Sequence, residues 1–434
     1  MFDRYKKISP SVLLMIGAAL LLLLGNSSFI LILNIYLRKL GYPDAVIAQY
    51  NSYRFVGTLV LAFPLGIFIK GKPLKPFFIT ASIMVPTVSI SLLYSLEHGH
   101  NAFLIPLFVL WGVSFMIFNV CSLPFIMRSE PEDVVTEAIS LNYSTWSMGM
   151  IIAGALINLL TRVESLTLMG REVVFTEYQI MMSIASLGTF AFILLLLMKE
   201  AKPRSQSGSF LHNFKVMRSD YDWVLIGRVL TPNMIIAVGA GLTIPFVNLF
   251  FNSVFHLDSD SFSLIGAATA FLVFFSTLAI ASVRRRYGFG TAIMLPQILA
   301  IIFLVILALT QLVSHLGWAL YVAIGAFILR QPLMNMAGPV TSELGMKYVG
   351  KRNQELISAL SSSIWSASWF ISAKIFQYLR QLELEYYQIF IITAILYSIG
   401  VTFYKMLIND YAKRGEEENI SPVLPLEEKA TPVE

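Results

Sequence analysis

The sequence predicts an all-α membrane protein with twelve transmembrane helices in two pseudo-symmetric six-helix bundles. Three observations lead there. Of 434 residues, 56% are hydrophobic and 13% charged, against about 25% charged in soluble globular chains. Several apolar runs exceed the roughly 20 residues that a helix needs to cross a bilayer. Short segments of the first half also recur, in order and at a nearly constant offset, in the second.

Cutting the chain at charged, Pro- or Gly-containing breaks places the spans at 11–37, 46–69, 76–95, 102–127, 136–160, 177–198, 223–252, 260–283, 289–314, 317–342, 354–379 and 386–408. The first run, "SVLLMIGAALLLLLGNSSFILILNIYL", is too long for a signal peptide and no small-residue cleavage site follows it. The hydrophilic stretch 199–222 separates six spans from six and reads as a cytoplasmic linker between an N-terminal half, 1–198, and a C-terminal half, 223–410. The acidic, Pro-containing tail 411–434 lacks apolar periodicity and is expected to be disordered. The lone Cys121 excludes an intrachain disulfide framework.

Orientation follows from the basic residues. With the N-terminus inside, the inner segments collect twenty-one Lys and Arg, and the outer ones only Arg38, Lys39, Arg162, Arg171 and Arg380. This asymmetry predicts both termini in the cytoplasm. The net charge of +5 is therefore a topology signal and not a nucleic-acid site.

The repeat is read from four ordered pairs. "NIYLRKLGYPD" from Asn34 and "NLFFNSVFHLD" from Asn248 both place an Asp ten positions on, at Asp44 and Asp258. Their shift, 248 − 34 = 214, also carries Lys70 onto Arg284. "NVCSLP" at Asn119 pairs with "NMAGP" at Asn335, and "TEAISLNYSTWS" at 136 with "QELISALSSSIWS" at 354, at shifts of 216 and 218. Two parallel six-helix halves around a central site are a known transporter architecture.

The chain here resembles the major facilitator superfamily over residues 8–410. The family's loop signature after the second helix survives as "GIFIKGKPLK" from Gly66, with Lys70 where the family has Asp. Its second-half copy, "ASVRRRYGFG" from Ala281, keeps Gly288 and puts Arg285 at the acidic position, next to Arg284. The fifth span carries "SMGMIIAGAL", without the Pro typical of the family's drug–proton antiporters. The resemblance implies rocker-switch alternating access, with helices one, two, four, five, seven, eight, ten and eleven lining the site. It also makes Gly66, Lys70, Arg284, Arg285 and Gly288 gating residues.

Ionisable groups deep in a bilayer are costly, so each is a functional candidate. No carboxylate falls at mid-membrane depth, which removes the simplest proton-coupling device. Glu137 and Glu355 occupy equivalent starts of spans five and eleven, where they cap a helix dipole or help to close the cytoplasmic gate. Arg228 and Lys374 lie close enough to span ends to snorkel. Arg54 is roughly 12 Å from an outer end and either reaches water or lines the cavity; Arg330 is roughly 20 Å deep. Arg330 and Gln331 have no counterparts in the repeat, which puts Ser114 and Phe115 there. Arg330 is thus a brace private to the second half or the charged floor of an asymmetric site. Asn34, Asn119, Asn248 and Asn335, the asparagines of the repeat, join Asn142, Tyr143 and Trp365 as candidate substrate contacts, interhelical hydrogen bonding being the alternative for each Asn.

The five His are scattered, "EHGH" at 97–100 has no companion ligands, and there is no phosphate-binding loop. No enzyme, metal or cofactor is expected. The leading reading is a monomeric secondary transporter of a small organic solute in the plasma (inner) membrane, with a proton or ion as a candidate coupling partner. Excess positive charge without a buried acid favours an organic anion. The alternatives are a proton-coupled exporter of drugs or hydrophobic solutes, and a non-transporting membrane receptor or scaffold.

Overall fold

The computed structural model describes residues 2–42, 44–163, 165–168, 171–174, 176–200, 222–257 and 259–420. Most of the expected linker and the end of the tail lie outside these residues, as does Asp258 of the repeat.

The first span begins at α1 (Pro10–Ser28), where Ser9 accepts from Val12 N and Pro10 fills a position whose N–H would have no partner. It continues through a π-turn, Phe29–Leu33, into α2 (Asn34–Lys39). Then come α3 (Asp44–Phe68), α4 (Lys75–Glu97), α5 (Asn101–Ser129) and α6 (Val135–Val163). The sixth span is split into α7 (Glu177–Leu187) and α8 (Phe190–Leu197). The seventh is split at Pro245 into α9 (Trp223–Thr243) and α10 (Val247–Phe255), with a short 3-10 turn between.

The helix α11 (Ser259–Leu309) runs through two predicted spans, which meet at Gly288. There φ is +76°, a backbone region that glycine enters without steric penalty. The remaining helices are α12 (Ala319–Val349), α13 (Gln354–Gln381) and α14 (Tyr386–Ile420). Among the described residues ten helices are long and apolar enough to cross a membrane, and a shorter apolar one covers Ser52–Phe68.

Two details depart from the sequence expectation. The loop after α6 holds an antiparallel pair, β1 (Ser165–Leu168) and β2 (Arg171–Val174), where apolar residues alternate and Thr and Val favour extended backbone. The last helix continues to Ile420, into the stretch expected to lack structure, with an i,i+4 ion pair between Asp410 and Arg414 along it.

Buried apolar residues fall into separate cores. One is built from residues between Ile226 and Leu407, with Ile67 as its single contribution from the first part of the chain. Another spans Ile8 to Met198 and takes in Ala359 from the second. Ile67 and Ala359 mark where the two parts interlock.

Within the first part, α4 and α8 clasp each other at one end. The Glu200 carboxylate accepts from Leu74 N and Lys75 N at 2.7 Å each, and Lys75 Nζ donates to Leu196 O and Met198 O. Free amides at one helix start and free carbonyls at another helix end are thus satisfied by side chains of opposite charge.

Candidate functional site

The two parts meet along α3 against α13 and α6 against α11, with α5 touching α13 and α6 touching α12. Their closest approach is at Gly66. A Cβ there would stand 2.4 Å from Ala359 Cβ and 3.1 Å from Glu355 O, so only a hydrogen fits. Beside it, Ser358 Oγ donates to Val120 O at 2.9 Å in a buried contact. Tyr5 OH donates to Leu278 O at 2.7 Å. Burial pushes the Tyr5 phenol up to about 12, against a smaller opposing effect of Arg285, so it remains a donor.

Around this packed end two ion pairs cross between the parts and a third cluster lies within the second, reached from the first by one hydroxyl. Glu137, at the start of α6, forms an ion pair with Arg285 of α11. Glu355, at the start of α13, pairs with Arg128 at the end of α5, whose other nitrogen donates to Lys72 O at 3.0 Å. Glu343, fully buried on α12, receives Arg284 at 2.7 Å, Lys347 at 3.0 Å and the Thr136 hydroxyl at 2.5 Å. Each of these carboxylates is nearly inaccessible. Removing one partner from such a pair strands the other, at a cost of about 3–5 kcal/mol when both are fully buried. The arginines here keep a quarter or less of their surface exposed, so the low end of that range applies.

The exchanged signs of the loop motif find their explanation in this geometry. Arg285 stands at the position where the sequence pattern leads one to expect an acid, and the acid it needs is on the facing helix, Glu137. The latch keeps its attraction with the charges transposed. Lys70 sits half-buried in the turn just beyond α3.

Further from the packed end the interface becomes aromatic and polar. Tyr143, six residues or about 9 Å along α6 from Glu137, reaches across to α12. Its hydroxyl lies 2.6 Å from Ser342 Oγ and its ring covers Gly338. Asn142, half-buried beside it, accepts from Thr145 Oγ1 through its main chain. Higher again, Phe55 of α3 faces Trp369 of α13 with ring centroids 6.5 Å apart, and Trp369 faces the half-exposed Trp365 at 6.2 Å.

The two deep arginines have contrasting neighbours. Arg330, 1% exposed, donates to Tyr397 OH at 3.3 Å and to Gln331 Oε1 at 3.1 Å, inside the core of the second part. Arg54 lies 4.6 Å from the Phe55 ring centroid and 5.4 Å from that of Trp111. Its Nε is buried without a hydrogen-bond partner among the described residues. Cation–π contacts of this kind contribute about 0.5–2 kcal/mol each, well short of what desolvating a guanidinium costs.

The asparagines separate in the same way. Asn119 is exposed on α5 next to Val120, whose carbonyl bonds Ser358 across the interface. Asn335 is exposed but donates to Gln331 O of its own helix at 2.8 Å. Asn34 and Asn248 are exposed far from the latch, Asn248 bonding the next backbone amide. Arg54 and Trp365 are therefore linked through Phe55 and Trp369, and Tyr143 bridges the parts. Arg330 and Gln331 lie inside one part. Gly288 sits at the break of α11 with open space around it.

Sequence reasoning did not single out Arg128, Glu343 and Thr136 as members of this charge cluster. Arg128 and Glu355 are 227 positions apart. The available signal was that each helix-start carboxylate needs a cation, and Arg128 is the basic residue closing the neighbouring span.

A sequence model described as Major Facilitator Superfamily matches residues 14–373. No curated protein matches the chain. Among solved structures it is similar to a bacterial homologue of the iron transporter ferroportin in an outward-facing state, with 13% identity and a TM-score of 0.75 over 92% of this chain and 99% of that one. It is similar to the E. coli fucose:proton symporter FucP, with 13% identity and a TM-score of 0.71 over 91% and 98%. The human organic anion transporter MFSD10 (TETRAN) follows at 12% identity and a TM-score of 0.69, over 91% and 98%. At these identities the likeness is one of fold.

Proposed function

Since the chain belongs to the Major Facilitator Superfamily, a family of non-enzymatic carriers, we propose that it is a secondary transporter that moves a small organic anion by rocker-switch alternating access. The reading has twelve spans. Nine are long apolar helices that cross once, the shorter Ser52–Phe68 is another, and the tenth long helix, broken at Gly288, contributes two. They form two six-helix bundles, 1–198 and 223–410, joined by a cytoplasmic linker, and the basic latch end faces the cytoplasm with both termini. In this arrangement the conformation is outward-facing.

The observation that carries the reading is the asymmetry of the interface: one end holds three carboxylates paired with arginines, and above it lies the half-buried Arg54, whose Nε is buried without a hydrogen-bond partner among the described residues. Arg54, Asn119, Asn142, Tyr143 and Trp365 line the solute path, with Asn34, Asn248 and Asn335 contributing polar surface. Gly66, Lys70, Arg284, Arg285, Glu137, Glu355 and the hinge at Gly288 operate the gate. Arg330 and Gln331 brace the second bundle against Tyr397. The likeness of fold to MFSD10, an organic anion transporter, agrees with this choice of charge.

The test is tracer flux in proteoliposomes with panels of anionic, neutral and cationic organic solutes. Saturable flux of anions that Arg54→Gln abolishes supports the reading. Carriage restricted to cations overturns it.

A further inference from the structure

We infer that Arg54 and the rings beside it form the seat of a planar, singly charged carboxylate, so that the solute is an aromatic or conjugated monocarboxylate. This rests on the transporter reading and adds the solute's shape and charge number to it.

The argument begins with valence. A guanidinium carries five N–H donors in a fixed fork that matches the two oxygens of a carboxylate. In Arg54 the buried Nε has no acceptor, and no ion pair to the side chain exists among the described residues. Arg330 shares the unpartnered Nε but has committed both terminal nitrogens, to Gln331 and Tyr397, inside one core. The site thus supplies one uncommitted positive charge. A dianion would leave its second charge facing apolar surface, and a neutral or cationic solute would leave the guanidinium unanswered.

Ring contacts supply the shape. The Arg54 cation sits over Phe55 and Trp111, and Phe55 in turn faces Trp369, which faces Trp365. A body entering between the two parts meets flat π-faces from both. Aromatic rings pair at centroid separations of about 4.5–7 Å; Phe55 and Trp369 already pair at 6.5 Å, so a planar solute would join this stack by displacing one ring from the other. The site also spans α3 and α13, so a solute held there touches both parts at once.

The probes are benzoate, benzamide, benzylammonium, terephthalate and acetate, each measured for equilibrium binding to purified full-length protein by competition with radiolabelled benzoate. Benzoate is expected to bind at least about tenfold more tightly than each of the others, the scale of one charge-assisted bidentate contact or one stacking face. Arg54→Gln should lose about tenfold for benzoate, and Arg54→Lys, which keeps the charge but not the fork, an intermediate amount. Benzamide or acetate binding as well as benzoate, no binding of benzoate, or an unchanged affinity in Arg54→Gln overturns the inference. The ranking of probes on the unsubstituted protein decides the matter even if a variant fails to fold. Saturable flux of a non-aromatic anion that still requires Arg54 would overturn this inference and leave the transporter reading standing; a latch end that never opens removes the transporter reading itself.

Discussion

The two ends of the interface between the chain's two parts treat buried charge in opposite ways. At the latch end Glu137 and Glu355 each have a guanidinium from a facing helix, and Glu343 has two cations and a hydroxyl. Toward the other end Arg54 has aromatic faces and no acid. Charge that is fully answered inside the protein holds a conformation together; charge left unanswered waits for something from outside. Arg54 also differs from Arg330, whose two terminal nitrogens donate to Gln331 and Tyr397 within one core although its Nε, like that of Arg54, has no partner among the described residues.

The largest predicted effect comes from unbalancing the latch. Glu137→Gln leaves Arg285 of the facing part without its carboxylate and should shift the closed-to-open equilibrium by about 3 kcal/mol, the low end of the cost of breaking a buried pair, or roughly a hundredfold. Distances measured by spin labelling across that end would report it; an unchanged distribution would show that the pairs are ornaments of the surface.

Next is Gly66→Ala. The added methyl would stand 2.4 Å from Ala359 Cβ, and overpacking of this kind costs about 1–3 kcal/mol. The variant should favour the open latch, in the same direction as Glu137→Gln but less strongly. A wild-type distribution would mean that the helices part here without resistance.

Replacing each arginine by Met sharpens the contrast further. Arg330→Met should lower the melting temperature in detergent, since Tyr397 loses its partner at about 1–3 kcal/mol, and reduce solute affinity far less. Arg54→Met should do the reverse, holding or raising the melting temperature while affinity falls. If both variants behave alike, the distinction drawn between them fails. Smallest of all, Ser358→Ala removes one buried bond to Val120 O and should weaken the closed latch by about 1 kcal/mol.

Much of this was legible in the sequence, for physical reasons. Span positions follow from hydropathy, because lipid demands long apolar helices. Gly66 and Gly288 stood out as fixed points of a repeated loop, and the structure gives each a need for glycine: a close approach at one, a positive φ at the other. Glu137 and Glu355 were legible as equivalents, since the repeat aligns them at helix starts. Their partners were not, because Arg285 and Arg128 arrive from helices far away in sequence. Arg330 drew attention by its depth, which counting residues along a helix can supply. Which neighbour its side chain meets depends on helix rotation and packing, and neither is written in depth.

The most direct test of alternating access places one spin-label pair at each end: Glu132→Cys with Arg286→Cys at the latch, and His100→Cys with His315→Cys at the other, all exposed positions, with native Cys121 buried and unreactive. Distances are then compared in nanodiscs with and without Glu137→Gln. The account predicts that the substitution lengthens the latch distance and shortens the opposite one in the same fraction of molecules. A latch that stays shut, or opens while the other end does not close, contradicts it.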